Sequence, residues 1–376
     1  MIETDIVVGS GLKATCDRAE LGERLGVVAR AVSTRSAVQV LLGVLLRAEE
    51  GRLHLAATDM ELSLRSSVEA DIEDEGAVVV PGRLLLDIVR QLPEGEVVIE
   101  HRPEEGVVRV ECGSASYRVH TYSAEDFPRL PEIDAIPVHT VDRAALLDTV
   151  ARVSRSASRD ESRPVLTGIL VRFEPGTLVM AATDSYRLAV KETALAGEQL
   201  ELEAIVPARA LQELSRIASE AESIELGAHE NQIAFRAGDT WLTTRRIDGQ
   251  FPNYRQLLPE TFDHEVPLAR TEVLEVVRRV SVVVQRNSPL RLRFEEGRLT
   301  VSARTQDVGE AEESLPVQWS GEPLEIGFNA EFLREGIESM GADDITLHLI
   351  SPLRPAVIKG GDDDPTYLVM PIRLAG

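Results

Sequence analysis

The sequence contains few of the residues that build catalytic and metal-binding sites. Its 376 residues include two cysteines and seven histidines, and the histidines show neither H-E-x-x-H nor H-x-E spacing. No G-x-x-x-x-G-K-S/T stretch occurs, and GSG at residues 9–11 lacks the third glycine of a dinucleotide site. Because carboxylates are plentiful, GGDDDP at residues 360–365 is predicted to be a solvated turn. We therefore expect no catalytic residues, no ATP hydrolysis, no cofactor and no metal.

Long apolar runs and targeting signals are also lacking. No run approaches the roughly 18 apolar residues of a membrane-spanning helix. The opening MIETDIVVGSGLK lacks the basic start and small-residue cleavage site of a secretory signal. Cys16 and Cys112 are far apart in the sequence, as expected of unpaired thiols in a reducing compartment. We predict a cytoplasmic protein with no membrane partner.

One short stretch occurs twice, and it identifies an internal repeat. AATD stands at residues 56–59 and again at residues 181–184, each time after a Gly-x-Leu, and a weaker relative, GRLTVSARTQD, begins at Gly297. Segments on both sides recur in the same order and at nearly the same spacing, which is typical of repeated domains. The length suits two to three domains of roughly 100 to 150 residues. We interpret the chain as three copies of one domain.

Periodicity within one copy predicts its fold class. Residues 17–32 place apolar side chains near helical spacing behind Asp17, a candidate N-cap. Residues 60–68 largely alternate as in a half-buried antiparallel strand, and a second helix is expected to begin at PGRLLLDIVRQL, with Pro81 in its first turn. The sequence therefore predicts an α+β fold of three repeated domains, each with two helices packed on antiparallel sheet.

Two proline-containing joints give the predicted domain boundaries. The joints are LPEIDAIPVH at residues 130–139 and LPETFDHEVP at residues 258–267. The predicted domains are residues 1–136, 137–262 and 263–376.

Arginines are concentrated on the predicted helices of an otherwise acidic chain. The formal net charge of −23 argues at first against a nucleic-acid partner. Arg152, Arg155 and Arg159, however, share one helix face, and basic residues recur in the same helix of the other repeats. Each cluster alone is what a solvated helix face shows. Their recurrence makes a DNA-binding surface an equal alternative.

Several segments together resemble one family. ATDSYRLAV, RPVLTGI, DGQFPNYRQLLP, EIGFN, SPLRPAVI and the C-terminal YLVMPIRL are similar, in this order, to segments of the bacterial DNA sliding clamp, the beta subunit of the replicative DNA polymerase. The resemblance covers residues 12–376 and leaves residues 1–11 as an N-terminal extension. It implies a head-to-tail homodimer that forms a DNA-clamp ring.

The resemblance also implies the function and the partners. Such a ring encircles double-stranded DNA without sequence preference and tethers the replicative DNA polymerase subunit for processive synthesis. An ATP-dependent clamp loader places it on DNA, and repair polymerases or ligase bind it through linear peptide motifs. The clamp is a processivity factor without a catalytic site of its own.

Seven arginines are predicted to contact DNA. Arg35 and Arg83 match DNA-facing positions of the family, and Arg209 is their equivalent in the second repeat. The others rest on the helix-face pattern alone: Arg152, Arg155, Arg159 and Arg279. Their contacts with phosphate would be mobile and would carry no sequence information.

A peptide-binding pocket is implied where the second and third repeats meet, with the C-terminal strand as one wall. The positions that match the family's pocket are Leu166, Thr183, Tyr186, Arg187, Leu188, Pro252, Leu257, Asn329, Phe332, Leu353, Pro355, Met370, Pro371, Ile372 and Arg373. For the apolar members, strand packing between the repeats is an equally good interpretation. Their gathering at one seam favours the pocket.

Two separate surfaces are predicted to form the dimer interface. The first lies in ECGSASYRVH of repeat one, around Tyr117 and Arg118. The second, in repeat three, consists of Val282, Val283, Glu310, Glu312 and Glu313.

Departures from the family pattern keep other functions open. Val40 stands where the family commonly has proline, Tyr186 where histidine is frequent, and Gln256 where a basic residue is common. A clamp paralogue and a peptide-binding scaffold without DNA are therefore alternatives. An acidic hydrolase would need a cluster of titratable residues that the sequence does not offer.

Overall fold

The computed structural model describes residues 11–130, 138–195, 201–219, 221–229, 231–285 and 288–374. They form two compact units. Unit 1 comprises Met1–Val141 and Arg216–Arg245, and unit 2 comprises Asp142–Ser215 and Arg246–Gly376. No helix in the described ranges is long and apolar enough to cross a membrane.

Seven α-helices are found in the described residues. They are α1 (Arg18–Val28), α2 (Gly82–Gln91), α3 (Arg143–Val153), α4 (Pro164–Thr167), α5 (Ala208–Ile217), α6 (Arg270–Val280) and α7 (Ala330–Glu338).

The strands pair only in antiparallel ladders across the described part of the chain. They are β1 (Leu12–Asp17), β2 (Gly43–Glu49), β3 (Arg52–Thr58), β4 (Leu62–Glu69), β5 (Asp71–Asp74), β6 (Gly76–Pro81), β7 (Glu96–Arg102), β8 (Val107–Cys112), β9 (Ala115–His120), β10 (Val138–Val141), β11 (Gly168–Glu174), β12 (Thr177–Thr183), β13 (Arg187–Ala194), β14 (Leu202–Pro207), β15 (Ile224–His229), β16 (Gln232–Ala237), β17 (Thr240–Arg245), β18 (His264–Ala269), β19 (Leu290–Glu295), β20 (Arg298–Thr305), β21 (Gly309–Pro316), β22 (Leu324–Phe328), β23 (Asp344–Leu349), β24 (Ala356–Lys359) and β25 (Thr366–Val369).

Unit 1 contains two sheets. A five-stranded sheet has the order β5-β1-β7-β8-β9, and an eight-stranded sheet has the order β10-β15-β16-β17-β4-β3-β2-β6. Helices α1 and α2 pack against each other, and α1 also packs on β3 and β4. The face that α1 buries carries Leu21, Leu25 and Val28, as the helical spacing predicts.

Unit 2 repeats this arrangement with its own two sheets. The eight-stranded sheet has the order β14-β11-β12-β13-β25-β24-β23-β18, and a four-stranded sheet has the order β21-β20-β19-β22. Helix α3 packs on β12 and β13, while α6 and α7 pack against each other. One apolar cluster of this unit contains Leu170, Leu188, Phe251, Tyr254 and Leu368.

Each eight-stranded sheet joins four strands of one repeat to four strands of the following repeat. In unit 1, β17 pairs with β4, with Thr243 opposite Ser63. In unit 2, β25 pairs with β13, with Leu368 opposite Leu188. The seam between two repeats is therefore a continuous hydrogen-bonded sheet.

A side-chain-stabilised turn explains why AATD occurs twice. Asp59 Oδ1 accepts hydrogen bonds from the backbone N–H groups of Glu61 and Leu62, at 3.1 and 2.9 Å. Thr58 Oγ1 donates to the carbonyl oxygen of Leu62 at 3.0 Å and accepts from the backbone N–H of Met60. Short polar side chains that bond their own backbone in this way are typical of tight turns.

The second copy forms the same turn. Asp184 Oδ1 accepts from the backbone N–H groups of Tyr186 and Arg187, and Thr183 Oγ1 donates to the carbonyl oxygen of Arg187 at 2.6 Å. Both turns place a residue other than glycine at positive φ, Met60 at 80° and Ser185 at 81°. The motif therefore specifies a turn that links two strands.

Several sequence predictions have a direct outcome here. Asp17 caps α1 by accepting hydrogen bonds from the N–H groups of Ala19 and Glu20. Helix α2 begins at Gly82, one residue later than predicted, because Pro81 still pairs with Gly43 as the last residue of β6. The domain boundaries stay a prediction, because residues 131–137 of the first joint lie outside the described residues. The same holds for residues 1–10 of the extension.

Candidate functional site

The C-terminal strand brings Met370 beside the second AATD turn. Strand β25 pairs with β13 so that Val369 lies opposite Arg187, and the backbone N–H of Met370 then donates to the carbonyl oxygen of Tyr186 at 2.8 Å. The turn presents Tyr186 to solvent with 61% of its surface exposed, and Met370 is 40% exposed. Two apolar side chains distant in sequence thus stand together at one edge of unit 2.

Two further exposed apolar residues lie on segments joined to this edge. Leu353 is 62% exposed and precedes β24, whose Ala356 pairs with Val369. Leu257 is 50% exposed and ends the short 3-10 helix Tyr254–Leu257. Buried Tyr254 anchors that helix in the apolar cluster of the sheet.

These four residues form what we call the apolar site: Tyr186, Leu257, Leu353 and Met370. They are four of the eleven large apolar side chains that are exposed among the described residues. Exposed apolar groups that gather in one place are typical of binding surfaces. All four were predicted from the sequence as pocket residues.

Arg187 lies beneath the apolar site and is not open to a ligand. It is 7% exposed, and its guanidinium forms ion pairs with Glu335 and with Asp184, the latter at 3.0 Å. The guanidinium carbon also lies 4.3 Å from the centre of the Phe332 ring. Arg187 was predicted as a pocket residue, but it shapes the site from inside the protein. Removal of one partner of such a buried ion pair strongly lowers the stability of the protein.

The environment of Arg187 keeps it charged. Burial by itself lowers the pKa of Arg187, but the oxygen of Tyr367 and the carboxylate of Glu335 outweigh burial and raise the pKa. For Tyr367, burial acts in the opposite direction and raises the pKa above its ordinary value. Tyr367 Oη donates to the carbonyl oxygen of Phe332 at 2.8 Å, which ties β25 to α7.

The other predicted pocket residues differ in their burial and in their contacts. Thr183 and Leu188 are buried, while Asn329 caps α7 by accepting hydrogen bonds from two backbone N–H groups. Ile372 forms a bridge with Gly327, and its N–H donates to the Gly327 carbonyl at 2.7 Å. The remaining members are at least partly exposed: Leu166, Pro252, Phe332, Pro355, Pro371 and Arg373.

The prediction that Arg152, Arg155 and Arg159 share one helix face is wrong, because α3 ends at Val153, Arg155 lies in the 3-10 helix Ser154–Ser156 and Arg159 lies beyond it. The predicted DNA-binding arginines also differ in their ion pairs. Arg35, Arg83 and Arg159 are exposed and form no ion pair with the described residues. Three form ion pairs within the protein: Arg152, Arg155 and Arg279. Arg209 is exposed on α5.

Arg152 and the GGDDDP segment form a buried contact that sequence reasoning missed. The side chain of Asp364 is 4% exposed, and its Oδ1 lies 2.7 Å from Nη1 of Arg152. Arg152 also pairs with Asp148 and donates to the carbonyl oxygen of Ser339. The prediction of a solvated turn is wrong at Asp364, because three backbone N–H groups and Arg152 bind its carboxylate.

Arg155 contacts Glu338, which a second arginine shares. Arg155 Nη1 and Arg278 Nη2 each lie 2.8 Å from a carboxylate oxygen of Glu338. Burial alone would raise the pKa of Glu338, but the two arginines outweigh burial and lower it. Both arginines remain more than half exposed, so another anion can approach them.

Five of the seven predicted dimer residues lie on terminal strands of their sheets, while Val282 and Val283 lie in the 3-10 helix Ser281–Val283. Strand β9, which carries Tyr117 and Arg118, ends the five-stranded sheet of unit 1. Strand β21, which carries Glu310, Glu312 and Glu313, ends the four-stranded sheet of unit 2. Val282 is largely exposed and Val283 is partly exposed. Arg118 pairs with Glu105, and Glu313 pairs with Arg279 at 2.7 Å. The exposed backbone of a terminal strand is suited to pairing with another chain.

Comparison with known proteins identifies the class of protein. The family models of the DNA polymerase III beta subunit match residues 12–131 with the N-terminal domain, 140–253 with the central domain and 255–373 with the C-terminal domain. The chain therefore belongs to the DNA polymerase III beta-subunit family. The predicted α+β fold of three repeated domains is confirmed.

Individual relatives agree with this assignment. The beta sliding clamp of Synechococcus elongatus is 38% identical to this chain, and the alignment covers 96% of this chain and 100% of the relative. The beta sliding clamp of Streptomyces coelicolor is 36% identical, with 97% and 100% covered. A crystal structure of the Pseudomonas aeruginosa sliding clamp bound to griselimycin has a TM-score of 0.88 at 30% identity, with 97% and 100% covered. The predicted sliding-clamp function in DNA replication is confirmed.

Proposed function

We propose that two copies of this chain form a ring that encircles duplex DNA and holds partner proteins at the apolar site. Membership of the clamp family supports DNA and DNA polymerase as partners. The observation that carries the proposal is the pairing of the C-terminal strand with β13, which sets exposed Met370 beside exposed Tyr186. Such a ring is a processivity factor and needs no catalytic site of its own.

Contact with DNA is proposed for the arginines that form no ion pair with a described residue. Arg35, Arg83 and Arg159 can bind phosphate without first giving up a protein partner. Arg155 and Arg279, which are paired but exposed, can exchange a carboxylate for a phosphate. Contacts with phosphate alone carry no sequence information, so the ring can slide. The net charge of −23 opposes binding of DNA to the rest of the protein surface.

Partner peptides are proposed to dock their apolar side chains at the apolar site. A fully buried Leu or Phe side chain contributes roughly 1.5 to 3 kcal/mol, so two such anchors support micromolar affinity. A related clamp has been crystallised with griselimycin, which supports a ligand-binding site in this family. The proposed partners are the replicative polymerase, the ATP-dependent clamp loader, and repair polymerases or ligase.

Ring closure is proposed through strands β9 and β21. A head-to-tail contact joins two unlike surfaces and closes only if the rotation permits it. Exposed Arg118 on β9 and the acidic residues Glu310 and Glu312 on β21 have opposite charge, which supports this pairing. We further propose that the protein acts in the cytoplasm, where the bacterial chromosome is replicated.

A truncated chain tests the apolar site separately from the ring. A fluorescent peptide with a Gln-Leu-x-Leu-Phe motif is titrated into the full chain, a chain that ends at Val369 and a control that ends at Leu374. We expect micromolar binding to the full chain and the control, and loss of binding to the chain that ends at Val369. Solution mass is measured in parallel, and all three should be dimers. Equal affinities would remove the C-terminal residues from the site, and monomers at micromolar concentration would contradict the ring.

Loading onto DNA distinguishes a clamp from a peptide-binding scaffold. The protein is loaded onto nicked circular DNA with a clamp loader, and the DNA is then cut once. A ring is retained on the circle and lost from the linear molecule. Retention that does not change on cutting would indicate ordinary DNA binding, and no retention would favour the scaffold.

A further inference from the structure

Unit 2 contains a cleft of about 460 Å³ beneath the segment Arg246–Arg255. One wall is the sheet, through Leu170 and Arg172 of β11 and Glu203 of β14. The segment forms the other wall, and the backbone N–H of Ile247 joins it to β14 by a hydrogen bond of 2.8 Å to Ile205. We call this space the arginine cleft.

The arginine cleft shares a wall with the proposed peptide site. Pro252 lines the cleft and is also a predicted pocket residue. Phe251 and Tyr254 line the cleft and pack in the same apolar cluster as Leu188. Three residues after Tyr254, the 3-10 helix that begins there ends at Leu257 of the apolar site. A peptide docked at the apolar site can therefore extend toward the cleft.

Charge in the arginine cleft is not balanced by the protein. Arg172 pairs with Glu203 at 2.6 Å. Arg246 and Arg255 are exposed and form no ion pair with any described residue, while Asp248 is the one lining carboxylate without a described partner. Three arginines against two carboxylates give the lining of the cleft a net positive charge. On a chain with a net charge of −23, such a cleft attracts acidic groups that most of the surface repels.

A buried hydroxyl group adds an independent reason to expect a ligand. Tyr254 lines the cleft and is buried, yet its Oη has no hydrogen-bond partner among the described residues. Buried hydroxyl groups are normally bonded, because an unsatisfied one costs free energy. A carboxylate that enters the cleft offers acceptors to this hydroxyl as well as to the arginines.

We propose that the arginine cleft binds acidic residues that flank the apolar anchors of a partner peptide. This inference rests on the proposed function, because the anchors must first occupy the apolar site. The cleft then determines specificity, because peptides of equal apolar sequence are ranked by the charge of their flanks. Such discrimination depends on ionic strength, since Arg246 and Arg255 are exposed.

Matched peptides test the inference on the full chain. The Gln-Leu-x-Leu-Phe core is extended by three glutamates, on the N-terminal side in one peptide and on the C-terminal side in another. Two controls carry glutamines instead. Affinities are measured by fluorescence anisotropy at low and at physiological salt. We expect one acidic peptide to bind about threefold to tenfold more tightly than its glutamine control at low salt, as two exposed ion pairs allow.

Variants assign the effect to the cleft. In the double variant Arg246→Gln, Arg255→Gln, the preference for the acidic flank should fall to about one, while affinity for the core peptide stays unchanged. Charge reversal to glutamate at both positions should make the acidic peptide the weaker binder. The control Arg293→Gln, Arg298→Gln removes the same charge from two arginines that pair with Glu295 outside the cleft, and it should keep the preference.

The outcomes separate this inference from the proposed function. If the core peptide binds but neither acidic flank improves affinity, the inference is overturned and the apolar site stands. A preference that survives in the Arg246→Gln, Arg255→Gln variant also overturns it. If the core peptide does not bind at all, the proposed peptide site itself fails, and the inference fails with it.

Discussion

Nη1 of Arg152 lies 2.7 Å from Oδ1 of Asp364, and the Asp364 side chain is almost wholly buried. The same carboxylate accepts hydrogen bonds from the backbone N–H groups of Gly341, Ala342 and Gly361, at 2.6, 3.0 and 3.0 Å. One aspartate thus joins a helix of the second repeat to two loops of the third. This contact contributes to the stability of unit 2 independently of any ligand.

Removal of the Asp364 charge should destabilise the protein. The variant Asp364→Asn keeps the size of the side chain but leaves donors of the surrounding backbone without a charged acceptor. We expect the free energy of unfolding to fall by about 1 to 3 kcal/mol, measured by urea denaturation. The control Asp362→Asn alters an exposed neighbour and should change the free energy of unfolding by less than about 0.5 kcal/mol. Equal effects of the two variants would mean that the buried contact contributes little.

Acid should weaken the same region. Burial alone would raise the pKa of Asp364, but the three backbone N–H groups and Arg152 outweigh it and hold the pKa below its ordinary value of 3.8. A lowered pKa adds stability that is fully present above the ordinary value and is lost as the pH falls through the folded-state value. We expect the urea midpoint of the wild type to fall more steeply below pH 4 than that of Asp364→Asn. Parallel curves would contradict this assignment.

Arg159 and Arg152 should affect DNA binding differently, because Arg152 lies in α3 and is paired, whereas Arg159 lies beyond the helix. Arg159 has no described ion pair, so Arg159→Ala should reduce the slope of log K against log salt by about 0.9 and leave stability unchanged. Arg152 already binds Asp148 and Asp364, so Arg152→Ala should lower stability and leave the slope nearly unchanged. Binding of loaded protein over a salt series, together with urea denaturation, measures both. If Arg152→Ala reduced the salt slope and Arg159→Ala lowered stability instead, the roles assigned to the two arginines would be reversed.

Relief of backbone strain at Met60 should stabilise unit 1. Met60 adopts a φ of 80°, a conformation that costs a residue with a side chain roughly 1 to 2 kcal/mol and costs glycine little. We expect Met60→Gly to raise the free energy of unfolding by about 0.5 to 1 kcal/mol. In the control Glu61→Gly, which changes the next residue of the same turn, stability should fall. A loss in both variants would show that contacts of the Met60 side chain outweigh the strain.

Local features of the fold could be predicted from the sequence because local rules produce them. Asp17 caps α1, and apolar residues of α1 are buried at the predicted helical spacing. The position of Met370 beside Tyr186 could be inferred only from the family resemblance, because the pairing of β25 with β13 joins residues far apart in sequence. No rule of spacing contains that information.

Burial of charged groups was the main feature that the sequence concealed. Arg187 looked like a pocket contact and Asp364 like part of a solvated turn, and both are buried. Their partners, Glu335 and Arg152, come from other repeats. A composition rich in exposed charge gives no signal that distinguishes these few residues. Long-range packing decides which charges are enclosed.

The contribution of β17 to unit 1 constrains how the protein folds during synthesis. The ribosome completes β4 well before it reaches Thr240–Arg245, the strand that pairs with it. Until then, the newly made N-terminal part presents β4 as an uncovered edge, and such edges promote association between nascent chains. The helix α3 and the strands β11 to β14 are synthesised during this interval. The first unit therefore matures only after Asp142–Ser215 of the second unit has been synthesised.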